Sequence, residues 1–257
     1  MSATSAIPIR PSAIEPAEWR ARVELAAAYR MLHHWGWTAL IYNHVTARVP
    51  GTHDQFLINS YGLLYDEIAA SNLVKIDLTG NVLAGPPGAE VNLAGLVIHS
   101  AVHAARPEIA CVVHTHTPAG VGVSAMAEGL MPLSLESTLL ARRLGYHEFE
   151  GITVEDDEKP RLVAALGDRI GLILRNHGLL AVGRSVAEAV TRIWVMERAC
   201  EMQVAALSGG PVHRVAPEVE SRIADQMAKF DKRSDDGDRA FAAMLRWLDR
   251  NDPGYKD

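Results

Sequence analysis

The spacing of hydrophobic and polar residues along the first third of the chain predicts one helix followed by a small sheet. The helix begins at Pro16, which suits a first helical turn, and ends near His34, with Gly36 as the stop signal. Turn signals then separate three runs rich in β-branched and aromatic residues, at 39–49, 55–59 and 73–78. We expect these runs to form a β-meander.

The rest of the pattern predicts shorter helices and strands in alternation. In chain order they are a helix at 91–105, a strand at 110–115, one or two helices around a strand at 117–146, a helix at 154–166, and strands at 171–175 and 179–182. The clearest helix runs over 185–207, with Ser185 as N-cap and Glu188 completing a capping box. This mixture predicts a layered α/β domain with a mixed or antiparallel sheet.

Composition shifts divide the chain into three predicted segments. We expect residues 1–15, which are rich in proline, to form a flexible N-terminal arm, and residues 16–210 to form the main domain. Residues 211–257 are predicted to be a C-terminal helical extension. Their amphipathic pattern at 241–248 predicts a short helix that packs on the main domain or on a neighbouring subunit.

Composition and charge exclude several classes of protein. The 257 residues have a formal net charge of −6, so we expect no nucleic-acid partner. We find no signal peptide and no run long enough to span a bilayer, so we expect no membrane partner and a cytoplasmic location. The two cysteines, Cys111 and Cys200, lie in apolar runs and are predicted to be buried thiols in a reducing compartment.

Two of the 11 histidines form a candidate metal-binding pair. His114 and His116 lie two residues apart on a predicted strand, so both imidazoles point to the same face of the sheet. That spacing suits two ligands of one metal ion, although two polar residues on the wet face of a strand would give the same pattern. The pair alone is therefore a weak signal.

A third histidine strengthens the metal hypothesis. His177 lies in a turn between two apolar strands, where Gly178 lets the backbone bend tightly. A polar imidazole in that position needs a partner. Two strand histidines and one turn histidine would make a three-histidine site with a coordination position left open for water or substrate.

His99 and His103 form a competing pair, since residues four apart share one face of a helix. The glutamate of a metalloprotease motif is missing, because Ser100 follows His99. We expect one of the two imidazoles to face the core and form hydrogen bonds, and the other to be half exposed. The role of His44 is left open, because this histidine neighbours Asn43. The other histidines are predicted to be structural or surface residues: His33, His34, His53, His147 and His213.

Taken together, several segments resemble the class II aldolase/adducin family. They are Tyr42-Asn43-His44-Val45-Thr46-Ala47-Arg48, Asn59-Ser60-Tyr61-Gly62-Leu63-Leu64-Tyr65, Arg106-Pro107-Glu108-Ile109, His114-Thr115-His116 and Asn176-His177-Gly178. Each motif is weak alone, but their order and spacing are specific, with His177 lying 61 positions after His116. The resemblance covers about residues 20–210, so it marks the main domain as class II aldolase/adducin-like.

The resemblance implies a fold and a cofactor. Members of the family have a three-layer α/β/α domain around a central, largely antiparallel sheet, and they usually assemble as tetramers with active sites between subunits. They use a divalent metal, often zinc. By this resemblance the ligands here are His114, His116 and His177, while manganese or iron would be alternative metals. Three further positions match the family's anion-binding loops and are implied to bind substrate: Asn43, Ser60 and Gly62.

Two departures separate the chain from the sugar-phosphate members of the family. Those enzymes carry Pro-Ser-Ser followed by an acidic residue before the HxH motif, and the acidic position falls here on Gly95. The two serines, which hold substrate phosphate, fall on Leu93 and Ala94. This segment resembles the adducin-type branch. Candidates for the missing acid or base are Glu136, Tyr146 and Tyr61, although an ordinary surface carboxylate and packing tyrosines would look the same.

These observations favour a metal-dependent lyase that cleaves a carbon–carbon bond, by retro-aldol reaction or decarboxylation, in a small, non-phosphorylated oxo- or hydroxy-acid. A dication held by neutral imidazoles suits charge that develops on a substrate oxygen. Two alternatives stay open. One is a non-catalytic, adducin-like interaction protein, and the other is an iron-dependent oxygenase on the same fold.

Overall fold

A computed structural model describes residues 14–140, 142–151, 156–230 and 237–257. Most of the predicted N-terminal arm, apart from residues 14 and 15, lies outside the described residues. So do residues 154 and 155, where the predicted helix at 154–166 was expected to begin.

Eight strands form one central sheet. They are β1 (Val45–Arg48), β2 (Gln55–Ile58), β3 (Val74–Asp77), β4 (Val82–Ala84), β5 (Cys111–Thr115), β6 (Leu144–His147), β7 (Gly171–Leu174) and β8 (Gly178–Gly183). Their spatial order is β4-β3-β2-β1-β5-β8-β7-β6. All neighbours pair antiparallel except β6 and β7, which are parallel. The meander predicted in the first half is β1–β2–β3, continued by β4.

Eight α-helices are found in the described parts of the chain. They are α1 (Pro16–His34), α2 (Leu93–Ala105), α3 (Pro118–Ser124), α4 (Leu135–Leu139), α5 (Lys159–Leu166), α6 (Val186–Ser208), α7 (Pro217–Phe230) and α8 (Asp238–Asn251). No described helix has the length and apolar character needed to cross a membrane.

The helices cover both faces of the sheet, which confirms the predicted three-layer α/β/α fold. Alternate residues of β5 show which helices cover each face of the sheet, because successive side chains of a strand point to opposite faces. Val113 packs in the core formed with α1 and α6, whereas Val112 packs in the core formed with α2 and α5. His114 shares the parity of Val112, so it faces the α2 side of the sheet.

Two segments differ from the sequence-based prediction. The strand expected at 39–49 is reduced to β1, because only Val45–Arg48 lies between pairing partners in β2 and β5. Ahead of it the chain turns, and Leu40 adopts a positive φ of 51°. The charged segment after Gly210 contains α7, which the apolar pattern did not predict, and α8 extends beyond the expected 241–248 at both ends.

Candidate metal centre

Strand β5 and the β7–β8 turn bring three histidines together. His114 is the fourth residue of β5, and His116 follows the end of that strand on the same side. His177 lies in the turn after β7, next to Asn176, whose φ is 55°. A side chain on Gly178 would overlap the carbonyl oxygen of Thr115, so only glycine lets the turn approach β5 this closely.

The three imidazoles meet through their Nε2 atoms. The Nε2 atom of His114 lies 2.7 Å from that of His116 and 3.3 Å from that of His177, and the candidate donor atoms all lie within 4.8 Å of one another. Nitrogen atoms bound to one tetrahedral zinc ion lie about 3.3 Å apart, given Zn–N bonds of about 2.0 Å. The wider of the two separations matches that value, and the narrower one would open slightly.

A hydrogen bond on the far side of His114 sets its tautomer. Nδ1 lies 2.8 Å from the carbonyl oxygen of Leu179, and a carbonyl can only accept, so Nδ1 carries the proton. The lone pair of Nε2 is therefore directed at the other two histidines. A ligand histidine held by a backbone carbonyl in this way is a common arrangement in metal sites. The donor set thus fits a divalent transition metal.

Burial keeps these imidazoles neutral. It lowers the pKa of His114 well below the ordinary value, helped by His116 and His177 beside it. Burial also lowers the pKa of His116, and it lowers the pKa of His177 to about 4. Neutral imidazole is the form that binds a metal ion.

The histidines open onto a cavity of about 380 Å³. Its described lining combines polar groups with the apolar side chains of Ile98 and Phe149. The remaining lining residues are Tyr42, His44, Asn92, Gly95, His114, His116, Gly151, Asn176 and His177. A mostly apolar pocket with a few converging polar groups is typical of a small-molecule site.

A buried carboxylate supports the histidine strand from the opposite face of the sheet. Glu197 of α6 accepts hydrogen bonds from the hydroxyl groups of Thr115 and Thr117, the latter at 2.6 Å. These threonines flank His116 in sequence. Burial raises the pKa of Glu197 to about 7. Sequence reasoning missed this residue, and its only signal was an acidic residue within the buried stripe of a long amphipathic helix.

The expectation that one of His99 and His103 is half exposed is wrong. Both are buried, because α2 lies flat on the sheet and Thr46 of β1 faces it. The Thr46 hydroxyl lies 2.7 Å from Nδ1 of His99 and 2.8 Å from Nε2 of His103. These two histidines form a structural hydrogen-bonded cluster between α2 and β1.

None of the predicted substrate-binding residues lines the described cavity, and one of them, Asn43, contacts the histidine strand. Asn43 is buried, and its side-chain amide donates a hydrogen bond to the His114 carbonyl oxygen at 3.3 Å. Ser60 is half-buried, and Gly62 is exposed with a φ of 99°. Asn43 therefore holds the backbone of His114 here, and the substrate-binding role of all three stays a prediction.

The acid–base candidates are placed differently. Glu136 is half-buried on α4, and Tyr146 on β6 is 37% exposed, with its hydroxyl accepting a hydrogen bond from the Leu130 amide at 3.0 Å. The Arg175 guanidinium lies over the Tyr146 ring at 4.4 Å from its centroid. Neither candidate is among the described residues that line the cavity, so their catalytic roles stay predictions, as does that of Tyr61.

Comparison with known sequences places the chain in a family. Residues 23–204 match the family described as the class II aldolase and adducin N-terminal domain. A Pseudomonas aeruginosa protein provisionally named an aldolase class 2 protein is 44% identical over 261 aligned residues, with full coverage of both chains. Alpha-adducin of Rattus norvegicus is 47% identical over 203 residues, which are 77% of this chain and 28% of the adducin. The chain belongs to the class II aldolase/adducin family.

Solved structures share the architecture. An aldolase II superfamily protein from Pseudomonas syringae has a TM-score of 0.91 and 46% sequence identity, and the comparison covers 95% of this chain and 98% of that one. L-fuculose 1-phosphate aldolase from Glaciozyma antarctica has a TM-score of 0.81 at 24% identity, with 98% and 97% coverage. At that identity the second comparison establishes a shared fold alone. Both confirm the fold that the motifs predict.

Proposed function

We propose that this protein is a metal-dependent carbon–carbon lyase whose divalent ion, zinc in the first instance, is held by His114, His116 and His177. The observation that carries the proposal is the convergence of three imidazole nitrogens at the wall of a cavity of about 380 Å³. Three histidine ligands leave a coordination position open, as catalytic zinc sites require. Manganese or iron would suit the same donors. Membership of the class II aldolase/adducin family supports the same chemistry.

The chain's own residues would orient the ligands and shape the cavity. The Leu179 carbonyl fixes the ring of His114, and Glu197 holds the backbone on both sides of His116 through two threonine hydroxyls. The ring of Phe149 provides an apolar wall. Such a wall, once covered by a second subunit, would exclude water, which strengthens electrostatic interactions with a bound substrate.

A bound divalent metal supplies Lewis-acid stabilisation of negative charge that develops on a substrate oxygen. In a retro-aldol reaction the bond between the carbinol carbon and the carbon next to the carbonyl breaks, the hydroxyl proton passes to a base, and a proton is returned to the carbon that keeps the electron pair. In a decarboxylation, carbon dioxide leaves, and the carbon that carried it keeps the electron pair and takes up one proton. Glu136 and Tyr146 are the sequence-based candidates for moving these protons.

The proposed substrate is a small, non-phosphorylated oxo- or hydroxy-acid. Leu93 and Ala94 have no hydroxyl groups for a phosphate cradle, and Gly95 has no carboxylate. The cavity offers imidazole and amide groups together with apolar surface instead. These groups suit a compact organic acid better than a dianionic phosphate ester.

Metal analysis of purified protein tests the proposal. Protein prepared without added metal is expected to hold about one divalent ion per chain, measured by elemental mass spectrometry. His177→Ala is expected to lose that ion while keeping its circular dichroism spectrum, because one of three ligands is removed from an otherwise intact fold. His213→Ala is the matched control, since His213 is exposed and lies outside the cavity lining. Full retention of metal by His177→Ala would contradict the ligand assignment.

A second candidate function is that of a non-catalytic interaction protein. The identity of 47% to alpha-adducin over most of this chain favours it, as does the glycine at position 95. The same metal analysis separates the two candidates. A folded wild-type protein that takes up no divalent ion, even when metal is added, would favour the interaction protein.

We further propose that the protein assembles as a homotetramer. Tyr42 and Phe149 line the cavity, and each is 54% exposed. Large apolar side chains at the edge of a site are suited to being covered by a second subunit. Light scattering on the eluting peak of a sizing column is expected to give four times the chain mass of 27.9 kDa, whereas a monomer mass would contradict the proposal.

A further inference from the structure

A fourth histidine, His44, lines the same cavity and takes up the room of a side chain at position 95. A Cβ atom added to Gly95 would overlap the His44 imidazole at three ring atoms: Cε1, Nε2 and Nδ1. No side chain therefore fits at position 95 while His44 keeps its place. The two positions share one volume in the wall of the cavity, and in this chain an imidazole from outside α2 fills it.

The imidazole of His44 is buried and poorly hydrogen-bonded, with backbone groups of Tyr42 and Gly95 as polar neighbours. The residue is 3% exposed, and neither ring nitrogen makes a hydrogen bond of normal geometry with the described groups. Its ring centroid lies 4.3 Å from that of His99 and 6.2 Å from that of His114. Buried polar atoms without partners are rare in native proteins and call for an explanation.

The neighbouring histidines do not use His44. His99 and His103 share the Thr46 hydroxyl, and neither of them is among the residues that line the cavity. His114 directs one nitrogen at Leu179 and the other at its two partner histidines. His44 thus stands between a structural cluster and the candidate metal centre, in the wall of the cavity, and neither of its nitrogens makes a hydrogen bond of normal geometry with the described groups.

We propose that His44 is a substrate-binding residue that supplies the polar group which Gly95 lacks, by donating a hydrogen bond to a carboxylate or hydroxyl oxygen of the acid bound at the metal. This inference rests on the proposed function. An imidazole has at least one N–H donor in either protonation state. No hydrogen bond of normal geometry with the described groups holds the ring, so a turn about its Cβ–Cγ bond toward the cavity would give up only weak contacts with the backbone of Tyr42 and Gly95. Gly95 is then required as the residue that leaves room for His44.

Two variants that act on this pair should have the same effect. Protein loaded with cobalt(II) is titrated with glycolate, and with pyruvate as a second probe, while the visible absorption of the metal is followed. His44→Ala removes the donor, and Gly95→Ala displaces it. Each is expected to keep one metal ion per chain and to weaken binding of the acid at least tenfold, in the range of a lost hydrogen bond to a charged group.

The double variant and the conservative variant make the test specific. His44→Ala combined with Gly95→Ala is expected to bind no more weakly than either single variant, because both changes remove one interaction. His44→Gln keeps an N–H donor and should recover part of the affinity. The control is Gly122→Ala, where an added Cβ would lie 3.8 Å from Val204, an ordinary contact, and closer to none of the other described residues outside its own helix and chain neighbours. If Gly95→Ala does not fold, the two His44 variants carry the test.

The outcomes separate this inference from the proposed function. Metal-loaded His44→Ala that binds the acids as tightly as the wild type overturns the inference and leaves the metal site intact. Metal-loaded wild type that binds neither glycolate nor pyruvate also overturns it, because the cavity then takes no small acid. Wild type that takes up no metal overturns the proposed function, and the inference with it.

Discussion

At the scale of single residues, surroundings decide what each polar side chain does. His103 and His114 are both buried, but one completes a bond to Thr46 while the other presents a lone pair to two further imidazoles. Glu197 shows the same dependence on surroundings. It is a carboxyl group inside a protein core, and within the described part of the chain its side-chain hydrogen bonds come from two threonines. The sequence gives the type of each residue, whereas the groups that surround its side chain are known only from the folded structure.

The buried carboxyl group of Glu197 should make stability depend on pH. Burial raises its pKa to about 7 from an ordinary value of 4.5, with Glu201 adding to the rise, and Arg198 and the two threonine hydroxyls opposing it. The folded state therefore holds this proton more tightly than the unfolded state does. The free energy of unfolding should fall as pH rises between about 4.5 and 7, by about 3 kcal/mol at most from this group.

Glu197→Gln is expected to remove that slope. A glutamine stays neutral at every pH and can still form hydrogen bonds with Thr115 and Thr117. Urea unfolding at pH 5, 6, 7 and 8 measures the difference, with the variant gaining on the wild type as pH rises. Glu218→Gln is the charge-matched control, since Glu218 is exposed. Parallel pH profiles for Glu197→Gln and the wild type would contradict the role given to burial.

At the scale of elements, a helix or strand end could be predicted where the sequence carries a local signal for it. The start of α1 at Pro16 and the start of α6 after Ser185 match the prediction, and the Ser185 hydroxyl accepts a hydrogen bond from the Glu188 amide at 3.0 Å. The full reach of β1 could not be predicted, because a strand ends where its partners end. Among the residues that the structure describes, no strand pairs with the apolar run before Val45.

The same distinction applies to the candidate site. His114 and His116 could be paired from sequence because a strand sends alternate residues to one face. His177 could be added because its turn is locally marked by Gly178. His44 and Glu197 could not be placed, since each reaches the site from a distant segment and its role depends on packing between elements. Periodicity along the chain predicts which side chains share a face of a helix or strand. Only the folded structure shows which of these faces pack against each other.

At the scale of the whole molecule, helix α8 of the C-terminal segment is part of the main core. Phe241 and Leu248 of α8 are buried in the same hydrophobic cluster as α1 and α6. Arg30 of α1 forms an ion pair with Asp252 at 2.9 Å. The sequence left open whether this helix covers the main domain or a neighbouring subunit, and the structure places it on its own chain.

Because α8 shares the main core, a substitution that destabilises α8 should lower the free energy of unfolding of the whole chain. Leu248 is fully buried, so Leu248→Ala leaves a cavity and is expected to lower the free energy of unfolding by about 2–5 kcal/mol. Arg246→Ala, on the exposed side of the same helix, should change it by less than about 0.5 kcal/mol. In Leu248→Ala, helical signal and bound metal should be lost together in one urea transition, because the sheet that carries the histidines packs on the cluster that α8 completes. If instead part of the helical signal is lost at a lower urea concentration than the bound metal, the C-terminal segment unfolds as a separate unit.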